Sequence, residues 1–204
     1  MSAIGILAAS EVHRQCETVP QGICGGRVMQ TLFDYQLRTV DELLPNAFRS
    51  GRHRVCAVAP CGAGKSTIIA ELTLRAAKKG TATLVVAHRR KLIKQLSERL
   101  KLHGVDYNVI MADLPEEDWV SIRSSATIHI ASRDTLLSRD KFEGIPTVDM
   151  LIPDEFHTTT GQGYRYLIEQ RIKPKYTIGF TATPCHADGS GFGPRVCEEL
   201  VTVT

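Results

Sequence analysis

Residues 55–67 read V-C-A-V-A-P-C-G-A-G-K-S-T: a short apolar run, a glycine-rich turn, then a lysine and two hydroxyls. Glycines at 62 and 64 let the backbone curl so that successive N–H groups point into one concavity, which suits phosphate oxygens. A helix beginning just beyond would add the partial positive charge of its N-terminus. In that context Lys65 is placed to reach β- and γ-phosphates, Ser66 to offer its hydroxyl to Mg²⁺, and Thr67 to support the loop. Pro60, Cys61, Gly62, Ala63 and Gly64 form the cradle itself. The bland alternative is a glycine-rich strand–helix turn with a chance lysine. It leaves unexplained why strand, loop and helix stand in the order the chemistry requires.

Working outward, the helical stretch after the loop runs to about Lys79 and is closed by Gly80. Upstream, Tyr35, Leu37, Val40, Leu43, Leu44 and Phe48 recur at three and four, which predicts a helix with Asp34 as N-cap and Gly51 as stop. Downstream the chain alternates. Apolar runs at 83–87, 107–111, 127–131, 148–152 and 176–180 read as strands, and 89–102 and 162–171 as helices. Such alternation predicts an α/β fold: a doubly wound, mostly parallel sheet with helices on both faces. The chain of 204 residues is long enough for one domain with a full core. Residues 1–30 carry no clean period and are expected to be an N-terminal extension to a domain covering 31–204.

Composition narrows the class only modestly. The net charge of +3 permits a phosphate-rich partner without demanding one. None of the six cysteines forms a C-x-x-C pair, which argues against a zinc ribbon. The apolar start lacks a basic segment, and no apolar run approaches the ~20 residues needed to span a bilayer. A cytoplasmic protein without a membrane partner is the default expectation.

A second acidic site is expected wherever a phosphate loop works on Mg²⁺ and water. L-I-P-D-E-F-H, 151–157, ends an apolar run, and ligands of parallel sheets gather at strand ends. Asp154 is the candidate for Mg²⁺, Glu155 the candidate general base for the attacking water. A solvated acidic turn is the plain alternative. Pro153 is unusual for a central strand, and is expected where the strand leaves the sheet.

Together these motifs resemble the first, ATP-binding, RecA-like domain of superfamily 2 helicases of the DEAD/DEAH type. The nearest resemblance is to the group of DNA-repair and transcription helicases and restriction-enzyme motor subunits. It covers about Leu32 to Val201. F-D-Y-Q (33–36) resembles the R-x-Y-Q element, which implies that Gln36 reads the adenine edge; Phe33 stands where an arginine is common. D-E-F-H (154–157) resembles the D-E-x-H box and gives His157 a coupling role at the nucleotide. The segments 85–95 and 130–136 resemble the motifs on the nucleic-acid backbone, implying contacts from His88, Arg89, Arg90, Ser132 and Arg133. G-F-T-A-T-P (179–184) resembles motif III, where Thr181 and Thr183 would link the ATP site to the nucleic-acid track. Residues 188–193 and 198–201 resemble the segment that follows.

The resemblance implies ATP and Mg²⁺ as cofactors and a nucleic-acid partner, DNA with RNA as the alternative, held by sequence-independent backbone contacts. It also implies a second RecA-like domain, in cis or in trans. These residues then look like a truncated reading frame, a cloned domain or half of a split protein. Two rivals stand beside this reading. One is a non-hydrolysing half-motor that binds ATP or a partner. The other is a phosphate-loop ATPase acting on protein, against which the threonine pair and the basic strand end argue.

Overall fold

The computed structural model describes residues 32–112, 126–138, 147–185, 190–193 and 195–203. The expected extension at 1–30, and part of the segment after motif III, lie outside them. Seven short strands form one sheet: β1 (Arg54–Val58), β2 (Thr83–Ala87), β3 (Tyr107–Ile110), β4 (Ile128–Ser132), β5 (Met150–Pro153), β6 (Tyr176–Thr181) and β7 (Glu199–Thr202). Their spatial order is β3-β4-β2-β5-β6-β1-β7, and every described ladder is parallel. The apolar runs form strands because both faces are covered: β2 and β6 are buried at every position.

One face carries the larger core. A continuous helix α1 begins as Asp34–Arg38, passes through a π-helical turn at Thr39–Leu43 and ends as Leu44–Arg49. Helices α2 (Lys65–Lys78) and α3 (Arg90–Leu102) lie beside it. Val40, Leu44, Ile68, Leu72, Leu96 and Leu100 pack there against Val55, Val85, Ile130, Ile152 and Ile178 of the strands. Arg75 of α2, almost wholly buried, bonds Asp41 of α1 at 2.5 Å and Glu71 of its own helix at 2.8 Å. The opposite face is covered by α4 (Arg133–Ser138) and by α5, which starts as Gln162–Tyr166 and widens at Leu167–Ile172. Leu136, Tyr164 and Leu167 pack on Leu84, Val86 and Leu151.

Three local expectations are corrected. Asp34 is not the cap of α1; Phe33 is, with Asp34 in the first turn. The cap is closed from inside, because Gln36 Oε1 accepts the Phe33 N–H at 3.1 Å. The π-helical turn was not foreseen. It precedes Pro45, which cannot donate to the preceding turn and crowds it, and the wider turn takes up that mismatch. Pro153 does not leave the sheet: it stays in register opposite Val86 of β2. Met150 and Asp154 donate toward β2, to Ala82 and Val86. By strand alternation the proline nitrogen therefore faces β6. There the described pairing lapses after Leu151↔Thr177 and resumes only at an Asp154↔Phe180 bridge.

Opposite that lapse sits Gly179, on which a Cβ would overlap the ring of Phe156. Phe156 is fully buried, stacked edge-on to Phe192 and packed with Cys56, so the ring has no room to yield. Gly179→Ala should therefore destabilise the domain by about 1–3 kcal/mol, the usual range for overpacking. Urea unfolding checks this, and Phe156→Leu in the same chain should recover part of the loss through non-additivity.

Candidate active site

The phosphate loop leaves β1 and enters α2 through two left-handed glycines, Gly62 with φ 86° and Gly64 with φ 68°. Gly64 is the N-cap of α2, and its carbonyl accepts from Thr67 and Ile68 at 2.8 and 3.2 Å. Cys61, Gly62 and Ser66 are exposed at the mouth. Lys65 folds back, its Nζ donating to the Ala59 carbonyl at 3.2 Å. From α1, the Tyr35 hydroxyl and Gln36 Nε2 both donate to the Ala63 carbonyl at 3.2 Å. Gln36 thus lies beside the loop, with its amide turned inward.

Asp154 and Glu155 leave the end of β5. Asp154 is half-buried, and its carboxyl is pushed above the ordinary carboxylate range by burial and by the adjacent Glu155 charge, against the opposing pull of Lys65 and Arg89. Glu155 holds a left-handed backbone, φ 51° and ψ 56°. A non-glycine residue there stores on the order of 1–3 kcal/mol, a cost usually found at functional turns. The turn starts a 3₁₀ segment, Phe156–Thr160, which brings His157 back over the end of β6. His157 Nδ1 lies 3.0 Å from Thr181 Oγ1 and 3.6 Å from Glu155 Oε2.

Thr181 is the meeting point. Its hydroxyl donates to the Thr183 carbonyl at 3.0 Å and accepts the Thr183 N–H at 3.0 Å. With its one proton so directed, it accepts from His157 Nδ1–H. Its own carbonyl accepts the Ala59 N–H at 2.9 Å, at the entry to the phosphate loop. One buried residue therefore touches the loop through its backbone and the D-E-F-H turn through its side chain.

The basic residues stand at the ends of β2 and β4. His88, Arg89 and Arg90 are exposed; Ser132 and Arg133 are half-buried. Ala87 and Ser132 are register partners, so the two groups adjoin. Arg133 bonds Asp134 at 2.9 and 3.1 Å, and His88 Nδ1 lies 3.9 Å from the other carboxylate oxygen. Sequence reasoning misses Asp134, which bonds Arg133 and lies close to His88. Tyr35 and Phe156 were also missed as site-shaping residues. Nothing in the sequence shows that the phenylalanine of D-E-F-H would lie over a glycine of another strand.

The chemistry of the donor set fits a Mg²⁺–triphosphate. It offers a glycine cradle, a lysine, an exposed hydroxyl on the first turn of α2, and two adjacent carboxylates whose mutual repulsion a cation would relieve. Among the described residues no cluster of three or more His, Cys, Asp or Glu could hold a metal alone, so further ligands would come from phosphate and water. No described helix is long and apolar enough to cross a membrane.

Because burial and Glu155 raise its pKa, native Asp154 keeps its proton to a higher pH than the unfolded chain does. Its contribution to stability is present below the unfolded value of about 3.9 and is lost as pH rises through the folded one. Asp154→Asn should thus raise the melting temperature of the nucleotide-free protein at pH 7. The gain should shrink toward pH 4 in a thermal melt series, and no gain at pH 7 would contradict the placement.

Residues 29–186 match the model of the family "Type III restriction enzyme, res subunit". IRC3 of Saccharomyces cerevisiae (strain ATCC 204508 / S288c), provisionally named an ATP-dependent helicase, is 27% identical over 195 residues, covering 90% of this chain and 26% of IRC3. A 51.5 kDa protein of Lactococcus phage (isolate 7-9) is 31% identical over 134 residues, 65% of this chain and 25% of the phage protein. The chain spans about a quarter of the length of these curated relatives. Among solved structures, the UvsW helicase from Bacteriophage T4 superposes with a TM-score of 0.62 at 17% identity, covering 88% of this chain and 62% of that one. The Type ISP restriction-modification enzyme LlaGI, in complex with a DNA substrate mimic, gives 0.62 at 16% identity over 86% of this chain and 20% of its own. The chain belongs to the type III restriction enzyme res subunit family, and its fold is that of the first RecA-like motor domain of superfamily 2 helicases.

Proposed function

We propose that this chain is the ATP-binding half of an ATP-driven motor that moves along nucleic acid, with DNA the partner rather than RNA. The observation that carries the reading is the junction at Thr181, which joins the phosphate loop to the D-E-F-H turn on the same sheet edge that bears the basic strand ends. The preference for DNA rests on the family and on the DNA-bound LlaGI relative.

In this reading the loop amides and Lys65 hold the triphosphate, and Lys65 gives up the Ala59 carbonyl to reach it. Ser66 and Asp154 would hold Mg²⁺, which when bound neutralises the charge on the transferring phosphoryl group. Glu155 takes the proton of the attacking water, and its fixed turn pre-positions the carboxylate. His157 and Thr181 report the state of that site to Thr183 and the neighbouring strand ends. Charge on the outer phosphate is completed by a second RecA-like domain, in cis or in trans. Hydrolysis by these residues alone is therefore slow, since an arginine reaching the outer phosphate from that second domain contributes on the order of 10³–10⁵ in rate.

Glu155→Gln should keep ATP·Mg²⁺ affinity and lose DNA-stimulated phosphate release in the full-length protein by about 10²-fold or more. Lys65→Ala should lose nucleotide binding itself. Nucleotide titration and steady-state release on the same preparations separate the two, and normal turnover by Glu155→Gln would remove it from the role of base.

Reversing charge at Arg89 and Arg90 together should weaken single-stranded DNA binding and lower the log–log salt slope by roughly 0.7 per lost phosphate contact. ATP affinity should hold. A slope equal to that of the parent protein would make these arginines part of a solvated helix start.

A further inference from the structure

Cys56 lies in the middle of β1 and is fully buried. Its neighbours Val55 and Ala57 face the larger core, and Cys56 faces the other side of the sheet, where it packs with Phe156 and Phe192. Val196 and Cys197 close this small cluster from the segment that leads into β7. Backbone bonds fix that segment on β1: the Glu198 N–H donates to the Arg54 carbonyl at 2.8 Å, and Leu200 is the register partner of Cys56. A turn delivers Cys197 to the strand, with the Val196 and Cys197 N–H groups donating to the Gly193 carbonyl at 3.1 and 3.0 Å. The Cys197 thiol lies 3.1 Å from the Glu199 carbonyl, to which it donates. Two cysteines far apart in the sequence are thus held side by side on paired strands.

The two thiols are unlike. The Cys56 S–H donates to the Cys197 sulfur. That bond favours a thiolate at Cys197 and holds its thiol below the ordinary range. The same bond, with burial, pushes the Cys56 thiol far up. Access differs in the same sense: Cys197 is half-buried beside exposed Arg195, whereas Cys56 has no exposed surface. A thiolate within reach of solvent, bonded to a second thiol behind it, is the arrangement of an attacking and a resolving cysteine. Cys61 and Cys185 lie outside the cluster.

We propose that Cys197 and Cys56 are a redox-active pair, in which a peroxide oxidises Cys197 and Cys56 resolves it to a disulfide between β1 and the segment entering β7. The Cys197 thiolate attacks one oxygen of hydrogen peroxide and the O–O bond breaks. The hydroxide released takes up the proton that Cys197 had shed, giving water and a sulfenic acid. The Cys56 sulfur then attacks the Cys197 sulfur. The S–S bond forms, the S–O bond breaks, and the hydroxide leaves with the Cys56 proton as a second water. Two thiols are oxidised and one peroxide is reduced. Closure to an S–S length of about 2 Å ties the strand that carries the phosphate loop to β7, in contact with Phe156 of the D-E-F-H turn. The pair stands independently of the nucleotide reading.

The test treats the native purified protein with stoichiometric hydrogen peroxide, blocks residual thiols with N-ethylmaleimide and digests without reduction. A peptide joining Cys56 to Cys197 should appear, and should be lost under dithiothreitol. In Cys56→Ala the sulfenic acid on Cys197 has no resolving thiol, so dimedone should capture it there. In Cys197→Ser neither the linked peptide nor a dimedone adduct on Cys56 should form. That variant changes one atom of a half-buried side chain, so it also serves if Cys56→Ala fails to fold. The oxidised protein should melt roughly 5–10 °C above the reduced one, because the bond closes a long loop, and Cys197→Ser should lose this shift. A linked peptide that is absent, or that forms only after unfolding in urea, would overturn the pair. Dimedone capture at Cys56 in Cys197→Ser would overturn the assignment of Cys197 as the thiol that meets the oxidant.

Discussion

A parallel sheet ends all its strands on one edge, and the function proposed for this chain depends on that constraint. Residues separated by more than a hundred positions become neighbours because each follows the last residue of a strand. Along the edge, β4, β2, β5, β6 and β1 stand side by side. Ser132 and Arg133 follow or end β4, and His88, Arg89 and Arg90 follow β2. Asp154 and Glu155 follow β5, Thr181 ends β6, and the phosphate loop follows β1. The order across the edge is therefore basic side chains, carboxylates, threonine hydroxyl, glycine-rich loop. The chain order makes this possible. β5 and β6 are inserted between β2 and β1 after β3 and β4 are laid down beyond β2, so the acidic turn lands between the basic residues and the loop.

The edge alone does not set distances; packing beneath it does. Pro153 withholds a donor from β6, and the gap is filled from above by Phe156 lying over Gly179. That contact fixes how far the D-E-F-H turn can ride over β6, and hence brings His157 to within 3.0 Å of Thr181. The proline, the glycine and the phenylalanine look unrelated in the sequence and act as one unit. A buried ring that cannot move transmits a shift of the turn to the strand as a displacement, since close-packed interiors do not absorb it. The Thr181 hydroxyl and carbonyl are bonded in turn to Thr183 and Ala59.

Much of this was legible beforehand. Strand positions followed from short apolar runs, and the phosphate loop from glycines in a strand–helix context, because both signals are local. Boundaries of α2 and α3 followed from Gly80 and from three-and-four periodicity for the same reason. What stays hidden is mostly long-range. Asp134 as a neighbour of His88, and β7 as the strand beside β1, need the sheet order, which no local pattern encodes. Asp34 was mistaken for the cap because capping propensity is a statement about residue type, while the observed cap is closed by a side chain three residues on. Pro153 stays in the sheet because a missing donor is costly only when the neighbouring strand requires it, and here the demand falls on a gap in the β6 ladder.

The site is also where the fold departs from its own rules of stability. Two carboxylates adjoin at the end of β5, one held partly away from water and one on a left-handed backbone. Strain of about 1–3 kcal/mol at Glu155 is a large share of the 5–15 kcal/mol that a domain ordinarily has. The broad core against α1, α2 and α3 is what tolerates it. A cation and a triphosphate at this edge would relieve the repulsion at Asp154 and displace Lys65 from Ala59. The nucleotide would thus stabilise the native chain in proportion to the logarithm of its concentration over its dissociation constant. The same features that weaken the empty edge are the ones that make it respond to what it binds. In the proposed motor, a response of that kind would begin at Thr181, which bonds His157, Thr183 and Ala59.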